Sequence, residues 1–295
     1  MKATFCDVSY GPHERNVLDI YLARQTQPSP LFFWIHGGGF YFGDKSERAP
    51  RIADFLVERG ISVIATNYRF STHAIYPAPY LDCRRALPFS RYHASSWGLD
   101  PNRVALGGLS AGAGMALWLG FRSDMANPHS QDPIERESTR PRCIYSTIGQ
   151  TSYDPRFIRQ VVGGQAHMSY GLAQLFGVSK DRWPELDEEV KRLVEDGAAI
   201  NFLDSTAPPV LTMYDDFSQD APVEGEQPEW ILSEPNAPLW YKMICRLQNR
   251  IRQRRSEKLW EIFFAVISGL NEGLLMALVY PVWCCRKILL KIITK

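Results

Sequence analysis

Gly108-Leu109-Ser110-Ala111-Gly112 follows the apolar run Arg103-Val104-Ala105-Leu106 and opens the helix-patterned stretch from Ala111 to Phe121. A strand that turns into a helix through one residue leaves no room for side chains at positions 108 and 112, and both are glycine. The turn lifts the Ser110 hydroxyl clear of the sheet and sets it at a helix N-terminus, where developing negative charge is favoured. Short patterns of this kind also arise as ordinary glycine-rich turns. Their meaning rests on what else the chain carries.

A second glycine-rich stretch, His36-Gly37-Gly38-Gly39-Phe40, follows Leu31-Phe32-Phe33-Trp34-Ile35, a continuous apolar run expected of a strand buried on both faces. Acyl transfer generates an oxyanion, whose stabilisation needs backbone N–H groups that approach closely with no Cβ in the way. Gly37 and Gly38 supply such donors, and the N–H of Ala111, just after the serine, is the third. His36 precedes Ser110 by several elements and reads as shaping the loop rather than as a base. Gly39, Gly108 and Gly112 support the two turns.

The remaining pattern predicts an α/β fold: a mostly parallel central sheet flanked by helices, with a small helical insertion and an atypical C-terminal tail. Strands are expected at Val17–Leu22, Leu31–Ile35, Ile61–Ala65, Arg103–Leu106, Cys143–Gly149 and Pro208–Tyr214. Helices are expected at Ala49–Glu58, stopped by Gly60, at Tyr80–Ser96, closed by Gly98, at Ala111–Phe121, and at Glu185–Asp196. We divide the chain into residues 1–258, one domain with an insertion or cap at about 153–206, and residues 259–295, a hydrophobic, basic tail. The 295 residues suffice for a full α/β core, and 45% hydrophobic and 22% charged residues are those of a globular protein. A net charge of +1 gives no reason to expect nucleic acid. The six cysteines are scattered, without a disulfide or zinc-ligand spacing, and the first residues carry no apolar signal core. A cytoplasmic, thiol-reduced setting is expected.

Taken together, Leu18-Asp19-Ile20-Tyr21, His36-Gly37-Gly38-Gly39-Phe40, Asn67-Tyr68-Arg69, Pro77 with Asp82, Gly98-Leu99-Asp100-Pro101-x-Arg103 and Gly107-Gly108-Leu109-Ser110-Ala111-Gly112 carry a resemblance. The chain resembles esterases and lipases of the hormone-sensitive-lipase-like branch of the α/β-hydrolases, closely over residues 7 to about 125 and more thinly to about 215. The resemblance implies an α/β-hydrolase fold, Ser110 as nucleophile, the glycine loop as oxyanion hole, small-molecule carboxylic esters as substrates, and neither metal nor organic cofactor.

The pattern breaks after the insertion. In the family the serine is followed by an Asp or Glu and then by a His. Asp216, after the strand expected to end at Tyr214, is the first candidate acid, with Asp215 and Asp220 as alternatives. The six histidines are His13, His36, His73, His93, His129 and His167, so none follows that acid. Leu232 stands where related sequences carry the His, and of the histidines present His167, in the insertion, is the least implausible substitute. Without a base the serine is a weak nucleophile, which keeps a second expectation open: a non-catalytic homologue that binds a small ligand or protein partner. The tail adds its own alternatives. The stretch from Ile262 to Cys285 is long enough to span a bilayer, but Asn271 and Glu272 make insertion costly. It reads as a membrane contact, as a core strand with a buried helix, or as a tail foreign to the family.

Overall fold

The structure, a computed structural model, describes residues 1–23, 28–161, 166–183 and 185–213. Among the described residues seven strands form one sheet: β1 (Phe5–Ser9), β2 (Val17–Tyr21), β3 (Ser29–Ile35), β4 (Ser62–Thr66), β5 (Leu99–Leu109), β6 (Cys143–Thr147) and β7 (Val210–Met213). Their spatial order is β1-β2-β4-β3-β5-β6-β7. From β4 to β7 every neighbouring pair is parallel, whereas β2 runs antiparallel to β4 and β1 antiparallel to β2. The helices α1 (Ala49–Val57), α2 (Ala78–Tyr92) and α3 (Ala111–Phe121) connect the successive strands from β3 to β6.

Strand β3 is buried along its whole length, and its alternation divides the core in two. Leu31, Phe33 and Ile35 join Leu18, Ile20, Ile64, Leu106 and Ile144 on the face that carries α2 and α3. Phe32 and Trp34 join Val63, Ala65 and Ala105 on the face covered by Ala49, Ala53 and Leu56 of α1. The chain leaves β3 through α1 to β4 on one side and returns through α2 to β5 on the other. The order therefore reverses at β3, and the crevice beyond the carboxyl ends of β3 and β5 is where ligands bind in open α/β sheets.

Several element boundaries differ from expectation. The α2 helix ends at Tyr92, and a 3₁₀ turn over Ser95–Trp97 separates it from Gly98, whose φ of 65° stops the run. Strand β5 begins at Leu99 because that residue pairs with Ser29 before the register shifts to Leu31 opposite Val104. Strand β1 adds to the expected strands; four of its five residues are exposed, so no apolar rhythm announces it.

Between β6 and β7 lie α4 (Pro155–Val161), α5 (Tyr170–Leu175) and α6 (Glu188–Gly197). The α6 helix starts later than expected because Asp187 caps it, its carboxylate accepting the Val190 N–H at 2.9 Å. Asp196 fastens α6 to the body: its carbonyl accepts the Trp118 indole N–H at 2.8 Å, and its carboxylate pairs with Arg122 and accepts from the Tyr76 hydroxyl. Among the described residues no helix is long and apolar enough to cross a membrane. The tail expected at 259–295 lies outside the described residues.

Candidate functional site

Ser110 is the single residue between β5 and α3, at φ 50° and ψ −118°. Such a conformation is strained for a residue with a Cβ and persists only where its surroundings over-determine it. They do so here. The Ser110 N–H donates to the Thr147 carbonyl at 2.9 Å, and the Ser110 carbonyl accepts the Gly114 N–H at 2.9 Å as the first bond of the helix. A Cβ on Gly108 would lie 2.4 Å from the Gly112 carbonyl carbon, and one on Gly112 would lie 2.3 Å from the carbonyl oxygens of both Ile35 and His36. No side chain fits at either position.

The second contact ties the elbow to the glycine loop. Because Ile35 pairs with Gly108, the chain leaving β3 emerges beside the chain leaving β5. A Cβ on Gly37 would lie 2.8 Å from the Leu109 carbonyl oxygen, and one on Gly38 only 2.0 Å from the Phe42 carbonyl oxygen. Gly38 and Gly39 have φ of 109° and 57°. The Gly38 carbonyl accepts the N–H groups of Tyr41 and Phe42 at 3.0 and 3.1 Å, closing the loop on itself. Phe40, at φ 71°, is held by its ring, buried between Tyr80 at 5.9 Å and Tyr153 at 5.4 Å. Among the described residues the N–H groups of Gly37, Gly38 and Ala111 donate to no protein acceptor. These three backbone donors are thus left available, that of Ala111 next to the half-buried Ser110 and that of Gly37 beside Leu109.

His36 is buried, its ring stacked on Tyr68 at 4.4 Å with a 15° angle between planes. Burial, followed by the nearby positive charge of Arg15, pushes its pKa down to about 4, against the opposing bond to the Gly37 carbonyl. At neutral pH it is an uncharged imidazole engaged at both nitrogens, with Nδ1 2.6 Å from the Gly37 oxygen and Nε2 3.3 Å from Arg15 Nη2.

Asn67 and Lys45 brace the segment after this loop, and the other motif residues tie separate parts of the fold. Lys45 is buried, with Nζ 2.8 Å from Asp7 and 3.1 Å from Asp19, and these bonds hold its pKa up despite burial. The Lys45 N–H donates to the Asn67 side-chain oxygen at 2.7 Å, while the Asn67 amide donates to Asp44 at 2.7 Å. Asp82 receives the Arg69 backbone N–H at 2.8 Å and its guanidinium at 2.7 Å, joining the end of β4 to α2. Arg103 Nε donates to Asp100 at 2.7 Å.

Asp216, Asp215 and Asp220 lie outside the described residues, just beyond the end of β7 at Met213. Among the described residues no histidine bonds the Ser110 hydroxyl. His13 and His73 face each other at 5.1 Å, and His93 packs against Phe89 and Trp97. His167 is buried in a turn over Ala166–Met168, its Nδ1 without a partner among the described residues and its carbonyl accepting the Trp183 indole N–H at 2.7 Å. Among the described residues no cluster of three or more His, Cys, Asp or Glu could hold a metal ion. Arg15 and the Tyr68 hydroxyl, which grip the loop, escape sequence reasoning, because their partners lie 21 to 53 positions away.

Residues 18–231 match the family described as BD-FAE. The chain is 32% identical over 147 residues to the probable carboxylic ester hydrolase LipM of Mycobacterium tuberculosis, covering 48% of this chain and 34% of that one. It is 22% identical over 219 residues to esterase LipC of the same organism, covering 74% of this chain and 52% of that one. The chain thus spans about half or less of the length of these relatives. Among solved structures, the acetyl ester-xyloside bifunctional hydrolase from Caldicellulosiruptor lactoaceticus superposes with a TM-score of 0.56 at 28% identity, over 70% of this chain and 69% of that one. A truncated carbohydrate esterase from gut microbiota shares the fold with a TM-score of 0.59 at 20% identity, over 74% and 79% of the two chains. By its sheet, its strand–serine–helix elbow and this family match, the chain belongs to the BD-FAE family of α/β-hydrolases, in their hormone-sensitive-lipase-like esterase branch.

Proposed function

We propose that this protein is a serine hydrolase cleaving small-molecule carboxylic esters through an acyl-enzyme on Ser110. The observation that carries the reading is the strained Ser110 at the strand–helix junction, flanked by three uncommitted backbone N–H groups. Ser110 Oγ attacks the ester carbonyl carbon, and the carbonyl oxygen takes up the negative charge facing the N–H groups of Gly37, Gly38 and Ala111. Collapse expels the alcohol and leaves the acyl group on Ser110, and water then releases the acid. Asp216 serves as the acid of the site, with Asp215 and Asp220 as the alternatives. Residues 1–258 act as one domain, with 153–206 as its cap. No metal or organic cofactor is invoked. The setting is cytoplasmic, the compartment in which thiols such as Cys6, Cys83 and Cys143 stay reduced.

The hydroxyl proton needs an acceptor, and no histidine follows the candidate acid in the chain. The turnover proposed is therefore slow, sustained by the oxyanion donors and substrate positioning. The same observation favours a second reading, a non-catalytic relative that holds a small ligand in this crevice. Hydrolysis of 4-nitrophenyl acetate by the full chain and by Ser110→Ala separates the two. Loss of the rate in Ser110→Ala supports the enzyme. An equal rate in both removes Ser110 as nucleophile, and a folded parent with no rate favours the binding protein.

A further inference from the structure

We propose that Arg15 is a positioning residue for the oxyanion loop, acting through the tautomer of His36; its catalytic meaning rests on the function proposed above. A guanidinium only donates hydrogen bonds. Arg15 Nη2 stands 3.3 Å from His36 Nε2, so Nε2 must present its lone pair. The ring proton then sits on Nδ1, which donates to the Gly37 carbonyl at 2.6 Å. The other neutral tautomer would set an N–H against the guanidinium and a lone pair against the carbonyl oxygen. The imidazolium would also face Arg15 with an N–H, with Lys45 adding positive charge and Asp44 the opposite sign. One protonation state satisfies both neighbours.

The consequence lies on the far side of the peptide planes. In a trans peptide the carbonyl and the next N–H point in opposite directions. Gripping the Gly37 carbonyl aims the Gly38 N–H, and gripping the His36 carbonyl aims the Gly37 N–H. The structure grips both: the Tyr68 hydroxyl reaches the His36 oxygen at 3.1 Å and the Gly37 oxygen at 3.3 Å, with His36 Nδ1 the closer partner of the latter. Without such a grip glycines would let these planes rotate, since no Cβ opposes it. Arg15 secures the whole arrangement. Its Nε donates to the Tyr68 carbonyl at 2.8 Å and its Nη2 to the Gly43 carbonyl at 3.0 Å, at the other end of the loop. Its guanidinium lies over the Phe70 ring at 3.7 Å. The hairpin between β1 and β2 thus holds the donors that Ser110 needs, from outside the crevice.

The test uses the full chain with ¹⁵N-labelled histidine. The His36 nitrogens should report a neutral Nδ1–H ring in the parent from pH 8 to pH 5. In Arg15→Met, which keeps the stem and removes the donor, that signature should be lost or its titration should move upward, and Arg15→Lys should restore part of it. In parallel, phosphonylation of Ser110 by a fluorophosphonate should slow at least about tenfold in Arg15→Met, with partial recovery in Arg15→Lys, because losing one oxyanion donor outright costs about 10²–10³-fold and misaiming it costs part of that. The slowed reaction should weaken further below about pH 6, where a less protected imidazole gains its proton. An Nε2–H ring in the parent overturns the proposal, as does an Arg15→Met protein with unchanged His36 signals and labelling. A parent that resists the reagent but shows the Nδ1–H ring, altered in Arg15→Met, leaves the clamp standing and counts against the esterase reading alone.

Discussion

His36 is the residue in which packing and electrostatics meet most directly. Burial lowers its pKa to about 4 from an ordinary value near 6.5, so the folded state prefers the neutral ring. The unfolded chain takes up the proton first as pH falls, so the stability His36 contributes is full above about pH 6.5 and is lost toward pH 4. At about 1.4 kcal/mol per unit, that loss is on the order of 3 kcal/mol. Urea midpoints at pH 7 and pH 4 should therefore fall further for the parent than for His36→Asn, whose side chain does not titrate in this range. Equal falls in both proteins would mean that the fold does not hold the ring neutral. The residues of the candidate site differ in how legible they were. Glycines at 38 and 108 could be read because the constraint on each is local, a turn too tight for a Cβ, whereas those at 37 and 112 face backbone of the other turn, about 70 positions away, and are legible only through the paired motifs. Arg15 could not, since nothing near it in the chain distinguishes it from a solvated arginine, and the carbonyls it serves belong to Gly43 and Tyr68.

Between elements, α3 approaches the end of β3 backbone to backbone. A Cβ at Gly112 meets two backbone oxygens at 2.3 Å, and backbone at a strand end cannot step aside. Gly120, on the same helix, offers an internal comparison: its added Cβ would also come within 2.3 Å of an atom, but that atom is the terminal Cδ1 of Ile144. A methyl at the end of a flexible side chain can rotate away, and alanine gains up to about 1 kcal/mol over glycine within a helix. Gly112→Ala should therefore cost about 3 kcal/mol or more and lower the melting temperature by roughly 6–12 °C. Gly120→Ala should cost about 1 kcal/mol or less. Calorimetry showing the same loss for both would mean that α3 is free to withdraw from β3. The same buried contacts explain which elements could be read in advance. Strand β3 and helix α3 are covered on all sides, so their composition declares them. Strand β1 is an exposed edge, and its pairing with β2 carries no apolar signature. The α4 and α5 helices, of 7 and 6 residues, are too short for a 3.6-residue period to emerge from a mixed sequence.

Across the whole molecule, what the chain lacks is set by order rather than composition. Its six histidines all precede β7: His36 is locked behind the glycine loop, His13 and His73 face each other, His93 lies among aromatic rings, His129 lies between α3 and β6, and His167 sits in the region between β6 and β7. In this fold the acid and the base are delivered to the serine from loops after the last parallel strands, on the same sheet edge where β3 and β5 end. If the framework up to β7 presents Ser110 and the three proposed donors there, a single imidazole supplied from beyond β7 should raise activity more than any adjustment of the elbow. Leu232 is the position to change, with Ser233 as the neighbouring alternative, because both follow the candidate acids. General-base catalysis contributes typically 10²–10⁴-fold, and an imperfectly placed base should still give at least about tenfold. Leu232→His, or Ser233→His, is thus expected to raise ester hydrolysis by that factor, while Leu232→His combined with Ser110→Ala should show no comparable gain. The control matters, since a surface imidazole can hydrolyse activated esters by itself and would do so in both backgrounds. A gain that survives the loss of Ser110 would assign the added rate to the imidazole alone. No gain in either single variant would mean that the chain after β7 does not return to Ser110, and the protein would then be read as a ligand-binding relative built on the same elbow.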